Sequence, residues 1–338
     1  MTDMEPTTLQ AVWYVLIGIL LAGYTVLDGF DLGAGILLPF LAKKEEDKLA
    51  VLKAIWPFWD GNEVWLLAGS GALFAAFPLA YATVFSGFYL ALMAVLFALI
   101  FRAVSLEFRN HDPKRRGFWE AAFFAGSLLP ALLFGVALGN IVQGIPLNAG
   151  LEFSGTFFTL LRPFPLAVGL LGLSTLLLHG TAYLALKTEG GLRARAKRLA
   201  GGLLWVEAGF FLHALVLSFI YVPRAKERPL AWLATAIFLL SLATLNAALA
   251  RAKDKLAFLA TSFSLLSLWG IVGTVQYPIL VGALTPALSL TAANASSSPL
   301  TLRVMLLMAL IGLPLVIAST ALVYKVFKGR VRPEAGGY

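Results

Sequence analysis

Residues 9–40 read LQAVWYVLIGILLAGYTVLDGFDLGAGILLPF, thirty-two positions that carry two carboxylates and no basic residue. A bilayer is crossed by about 20 predominantly apolar residues, so a stretch of this length is a membrane helix, with its acids inside the apolar run rather than beyond it. Trp13 and Tyr14 suit an outer aromatic anchor. Counting from them at about 1.5 Å per residue, the roughly 30 Å of hydrocarbon is used up near Gly33. Asp28 and Asp31 therefore fall in the far part of the helix, and their i, i+3 spacing puts both on one face.

Working outward, the same apolar character fills the chain. Of 338 residues 59% are hydrophobic and only 13% charged, with a mean hydropathy of +0.85. Globular chains hold about 45–50% apolar and about 25% charged residues. Roughly 200 apolar residues leave room for about eight to ten spans and little else. That excludes a soluble enzyme, a secreted disulfide scaffold and a disordered chain. Long continuous apolar runs also exclude a membrane barrel, whose strands alternate. With no cysteine there is no disulfide and no thiolate chemistry. The start, Met1 to Thr8, lacks the basic region and cleavage site of a signal peptide. The net charge of +8 is read as topological, with no nucleic acid as partner, because no basic stretch outside the apolar runs is interleaved with aromatics.

Breaks of charge, Gly and Pro predict nine helices: 9–40, 60–78, 83–101, 119–142, 163–186, 202–222, 230–250, 256–280 and 303–327. Gly, Pro and Asn make 143–162 an extramembrane loop. Nine spans put the two ends of the chain on opposite sides, and the basic residues test this. One side holds Arg162, Arg224, Lys226, Arg228 and Arg303. The other 21 of the 26 Lys and Arg fall on the opposite side, among them Lys43, Lys44, Lys48, Arg102, Arg109, Arg193, Arg251 and Lys325. By the positive-inside rule the rich side is cytoplasmic, so the amino terminus lies outside and the carboxyl terminus inside.

Ionisable groups within spans are costly and mark partners or water paths. A second acidic pair lies in Trp56-Pro57-Phe58-Trp59-Asp60-Gly61-Asn62-Glu63-Val64-Trp65. Pro57 suits a first helical turn, which places Asp60 and Glu63 at the cytoplasmic start of helix 2. A short loop joins this helix to the first, so the two pairs reach similar depth, and Gly29, Gly33, Gly35 and Gly61 allow close approach. The leading reading is a hydrated entrance through which protons pass from the cytoplasm. Two others stay open: Asp60 as a helix cap with Asp31 paired to a Lys or Arg, or a contact with a subunit or cofactor. A weaker constellation is His179 with Glu207, whose depths on helices 5 and 6 agree within about 3 Å, and pairing would relieve a buried carboxylate. His213 reads as a packing residue and His111 lies in a charged loop. Two histidines in spans cannot ligate several haems. No phosphate loop, metal-spaced cluster or catalytic triad is present.

Asp28-Gly29-Phe30-Asp31-Leu32-Gly33-Ala34-Gly35, followed by Trp59-Asp60-Gly61-Asn62-Glu63-Val64-Trp65, resembles subunit II of cytochrome bd-type quinol oxidases. So do residues 69–78 (GSGALFAAFP), 86–89 (SGFY), 135–144 (GVALGNIVQG) and 180–184 (GTAYL). The likeness spans essentially the whole chain and is densest before residue 150.

The resemblance implies an all-α polytopic membrane protein of a prokaryotic cytoplasmic membrane. It would have two four-helix bundles, 1–142 and 163–280, separated by the 143–162 extracytoplasmic loop. A peripheral ninth helix at 303–327 and a basic cytoplasmic tail at 328–338 would follow. It further implies a respiratory complex that oxidises quinol, reduces dioxygen to water and takes its protons from the cytoplasm. The b- and d-type haems would sit in the partner, subunit I, with no cofactor, metal or catalytic centre in this chain. A small single-helix subunit and lipid are further partners it allows. Asp28 and Asp60 match family positions implicated in proton uptake; Asp31, Asn62 and Glu63 belong to the same motifs. Some members carry His before the Trp-Asp pair, where this chain has Phe58, so a role for that imidazole is lost. Competing functions are a proton-coupled secondary transporter, for which inverted repeats would be needed, and a purely structural scaffold.

Overall fold

A computed structural model describes residues 5–331. Thr7 caps the first helix, its hydroxyl accepting from the Gln10 amide while the Gln10 side chain returns to the Thr7 N–H. From there α1 runs Thr8–Leu27 and α2 Gly29–Leu41, together 34 residues that form one span interrupted at Asp28. The turn is slight, since the Asp28 N–H still bonds the Tyr24 carbonyl and the Leu32 N–H bonds that of Asp28. A short amphipathic helix, α3 (Glu45–Ile55), has its acids in the first turn and Lys53 in the last, as the helix dipole favours. It buries Val51, Leu52 and Ile55. Then follow α4 (Trp59–Ala76), α5 (Pro78–Gly87), α6 (Tyr89–His111) and α7 (Arg116–Gln143). The second half comprises α8 (Pro163–Lys187), α9 (Gly190–Tyr221), α10 (Pro229–Ala250), α11 (Asp254–Gln276) and α12 (Pro299–Val326). Between the last two, β1 (Ile279–Val281) pairs antiparallel with β2 (Leu290–Thr291).

The chain is an all-α membrane protein. Among the described residues eight helical stretches are long and apolar enough to cross a bilayer, and α4 with α5 makes a ninth when counted together despite a 120° bend. The prediction of nine differs in two places: the sixth helix, expected at 202–222, already begins at Gly190, and the second and third helices are divided differently. Its second helix is found as α4, but its third, placed at 83–101, begins at Tyr89 and runs on to His111. Residues 78–87 form a separate transverse piece. Pro78 at the start of α5 supplies no N–H to the preceding helix, and Phe77 leaves helical geometry with φ −135° and ψ 65°. As a consequence Arg102 and Arg109, expected in a loop, lie on α6 and are buried.

Two apolar cores sit at opposite ends. At the end rich in Lys and Arg, Phe30, Leu38, Ile55, Phe58 and Tyr183 tie α2 and α3 to α8. At the other, Trp13, Phe77, Ile145, Val281 and Leu290 tie α1 to the 143–162 loop and the β pair. Between them α2 lies against α7 and α8. A Cβ on Gly180 would stand 2.6 Å from the backbone carbon of Gly33, and one on Gly33 would strike the Leu176 carbonyl, so this crossing admits only glycines. Gly61, by contrast, has open space where its Cβ would be.

Candidate functional site

The interruption between α1 and α2, the first turn of α4 and the middle of α6 meet at one depth. Asp28 occupies the interruption and Asp31 the first turn of α2; both are fully buried. Asn62 on α4, also buried, donates one amide hydrogen to the Leu27 carbonyl at 2.8 Å and the other to Asp31 Oδ2 at 2.7 Å. Arg102 enters from α6 with its guanidinium wholly buried. One of its nitrogens donates to Asp28 Oδ1 at 3.1 Å and the other to Glu63 Oε1 on α4. A single fork therefore clamps a carboxylate from each of two helices, a geometry suited to guanidinium and not to ammonium. Arg102 can approach because Gly126 on α7 offers no side chain: a Cβ there would lie 2.9 Å from that of Arg102.

Four of the five residues singled out from the motifs, Asp28, Asp31, Asn62 and Glu63, are thus brought into one cluster. Asp60 stands one turn before Glu63 and is exposed. It makes no capping hydrogen bond; Phe58 occupies the cap position and its side chain caps nothing. Asp31 is partnered by an amide rather than by a Lys or Arg. The arrangement holds the carboxylates of Asp28 and Glu63 against one buried cation, with Glu63 at 23% side-chain exposure on the side of Asp60. Removing Arg102 would strand both carboxylates, at a cost of about 3–5 kcal/mol, whereas without Asp28 the guanidinium keeps Glu63.

Arg102 is the residue the sequence reading missed as a site residue. It ends the apolar run 89–101 and so passed for a topological charge. The signal that could have found it was the set of buried acids itself, which demanded a cation within a span. Tyr324 on α12 was missed too; its hydroxyl donates to Asn62 Oδ1 at 3.3 Å.

His179 and Glu207 are both fully buried, but no hydrogen bond or ion pair joins them among the described residues. His179 is held by Thr261 Oγ1 at 2.8 Å and by the Val26 carbonyl at 3.0 Å, and its ring stacks on Phe258 at 4.8 Å. Glu207 instead accepts from Ser264 at 3.4 Å, and its second oxygen has no partner. Their partners on α11, Thr261 and Ser264, lie three residues apart. Depth alone did not fix which face of α9 turns inward. His213, read as a packing residue, is exposed. His111, expected in a loop, ends α6 and bonds the Glu107 carbonyl.

A helical membrane protein with a buried, arginine-clamped carboxylate cluster is the class these features define. Residues 9–327 match the family model described as cytochrome bd terminal oxidase subunit II, and the chain belongs to that family. A probable cytochrome oxidase subunit 2 of Haemophilus influenzae is 36% identical over 362 aligned residues, covering 96% of this chain and 95% of its own. Cytochrome bd-I ubiquinol oxidase subunit 2 of Escherichia coli is 34% identical, covering 99% and 97%. The cytochrome bd ubiquinol oxidase subunit 2 of Bacillus subtilis is 34% identical, covering 96% and 97%. In fold, the chain superposes on a chain of the bd oxidase structure from Geobacillus thermodenitrificans with a TM-score of 0.81 at 18% identity, covering 95% of this chain and 99% of that one. It is a multi-pass inner-membrane subunit of an oxidoreductase complex.

Proposed function

We propose that this chain is the haem-free partner of a haem-bearing subunit in a respiratory quinol oxidase, and that its acid cluster admits protons from the cytoplasm. Oxidising two quinols releases four electrons and four protons. Reducing one dioxygen to two waters consumes four of each, and energy is conserved when the consumed protons come from the cytoplasmic side. In this reading the end rich in Lys and Arg is cytoplasmic and the amino terminus is outside. Helices α1, α2, α4, α6 and α7 make one bundle, α8 to α11 a second, and α12 lies peripheral. The 143–162 segment is extracytoplasmic. The basic tail is 328–338, of which residues 332–338 lie outside the described residues.

The observation that carries the proposal is the Arg102 clamp. It holds Asp28 and Glu63 together in the interior while Asp60, one turn away, is exposed at the mouth. Protons would enter at Asp60, pass Glu63 and reach Asp28 and Asp31. That haems belong to the partner is supported by the histidines. Both ring nitrogens of His179 are engaged and His213 points outward, so neither is set to ligate iron inside this chain.

The test is Asp28→Asn and Asp60→Asn, each in the assembled complex. Quinol oxidation coupled to membrane potential should fall with both, while the visible haem spectrum stays intact. Full activity and potential in both variants would leave a structural scaffold as the better reading. A native complex without haem absorbance would remove the oxidase assignment altogether.

A further inference from the structure

Of α12's 28 residues only Leu302 is buried, and its middle stands off from α1 and α4 across a gap of about 230 Å³ lined by Leu16, Leu20, Trp65, Gly312 and Leu313. Contacts concentrate at its two ends. At one, Trp13 Nε1 donates to the Leu302 carbonyl at 2.9 Å, and the Ser297 N–H donates to that of Ala76 at 2.8 Å. At the other, Lys187 Nζ donates to the Phe327 carbonyl at 2.6 Å and the Val331 N–H to the carbonyl of Lys187 at 2.8 Å. At this end Val323 and Val331 also pack against the core that holds Phe30 and Phe58. The fastening brings Tyr324 onto the acid cluster, its ring 4.5 Å from that of Phe58 and 6.4 Å from that of Phe30.

The Asn62 amide has two orientations. In the one found, its NH₂ serves the Leu27 carbonyl and Asp31 Oδ2, while its oxygen accepts from Tyr324. Turned over, the oxygen would face two acceptors, and the NH₂ would face a hydroxyl that must then give up its role as donor. A side-chain amide is an ambidextrous group whose orientation is set by its neighbours. Here the phenol of a helix from the far end of the chain is the neighbour on the oxygen side.

We propose that Tyr324 is a positioning residue of the acid cluster: by donating to Asn62 it joins the Leu27 carbonyl in fixing the amide so that Asp31 meets an N–H. The role needs no proton to pass through Tyr324. It makes the hydrogen bonding of a carboxylate on α2 depend on the seating of α12. The ionisable groups facing Asp31 are Asp28 at the helix interruption, Glu63 on α4, Arg102 on α6, Tyr183 on α8 and Tyr324 itself, with Asp60 beyond Glu63. None of the others reaches the Asn62 oxygen. That this positioning matters for turnover rests on the proton-uptake reading; the positioning itself does not.

The experiment is a cycle of Tyr324→Phe and Asn62→Leu in the assembled oxidase, with two readouts. The first is the infrared carboxyl band identified as that of Asp31 by its loss in Asp31→Asn. The second is the pH profile of quinol-driven oxygen uptake at constant haem content. Tyr324→Phe keeps the ring, so haem content should hold, while the band shifts and the profile moves by about half a pH unit, the size set by one neutral hydrogen bond. In the Asn62→Leu background the same change should do nothing to either. An unmoved band, or a shift that persists undiminished without Asn62, overturns the positioning role. A shifted band with an unmoved profile retains it and breaks the proton-uptake reading instead. If Tyr324→Phe does not assemble, 3-fluorotyrosine at 324 keeps the bond and alters only the donor's acidity; a band it leaves in place overturns the proposal as well.

Discussion

Asp28 and Glu207 are both fully buried carboxylates in the same helical body, yet their surroundings differ. Asp28 lies at a break between two helices and receives a guanidinium that itself is inaccessible to solvent. Around it are Glu63, Asp31 and an oriented amide, so several groups there share charge. Glu207 lies within the unbroken α9 and meets only hydroxyls. Ser264 contacts one oxygen at 3.4 Å, and no Lys or Arg is within ion-pairing distance among the described residues. His179, the one imidazole nearby, turns its nitrogens to Thr261 and Val26 instead. The first site gathers several polar side chains around one buried guanidinium, while the second holds a single carboxylate among hydroxyls. Only the first leads to an exposed acid, and that difference, rather than burial, is what supports the proposal that protons pass there.

The comparison breaks most severely at Arg102. Arg102→Met should leave Asp28 buried without a counter-charge at a cost of about 3–5 kcal/mol, read as loss of assembled, haem-containing complex. Arg102→Lys should rescue little, because one ammonium cannot span the carboxylates of Asp28 and of Glu63 on α4 together. Recovery of full assembly by the lysine would mean that charge alone, without the fork, holds the cluster.

Between the two sites runs the crossing of α2 and α8. Gly180→Val should force apart backbones that now touch, at about 1–3 kcal/mol. It should lower the melting temperature and disturb both sites, since Gly33 is two residues from Asp31 and Gly180 follows His179. An unchanged melting temperature would show that the helices have slack there.

The acids and their motif partners were legible in the sequence because an apolar run makes any carboxylate conspicuous. Arg102 was not, since a base at the end of such a run is read as an anchor. The α4–α5 bend was only half visible: Pro78 marks a break, but nothing local says whether the chain then turns along the surface or crosses. Tyr324 was invisible, because 262 residues separate it from Asn62 and its helix has almost no buried face. The expected His179–Glu207 pair shows the limit of depth counting. Rise per residue put both at one level, yet rotation about each helix axis decides which atoms meet.

His179 sharpens the comparison at smaller scale. With Nε2–H donated to the Val26 carbonyl, Nδ1 can accept from Thr261, so the neutral ring is fully satisfied. His179→Leu should cost about 1–3 kcal/mol, chiefly through the Val26 carbonyl left without its imidazole donor, since Thr261 still donates to the Phe258 carbonyl, seen as a lowered thermal midpoint. The visible spectrum of the complex should not change. A lost haem band would instead make the imidazole an iron ligand and reverse the assignment of haem to the partner.

Glu207→Gln is expected to have the smallest effect. The amide keeps the volume, can still accept from Ser264, and brings hydrogens to hydroxyl oxygens already lining the site. With no cation to strand, the change should stay within about 1 kcal/mol, leaving assembly and quinol-driven oxygen uptake near wild type. The same isosteric replacement at Asp28 removes the charge that Arg102 was placed to meet, so the two variants should diverge in membrane potential. A Glu207→Gln complex that assembles but generates potential as poorly as Asp28→Asn would make Glu207 part of the path, and the second half of the chain would have to be treated as conducting too.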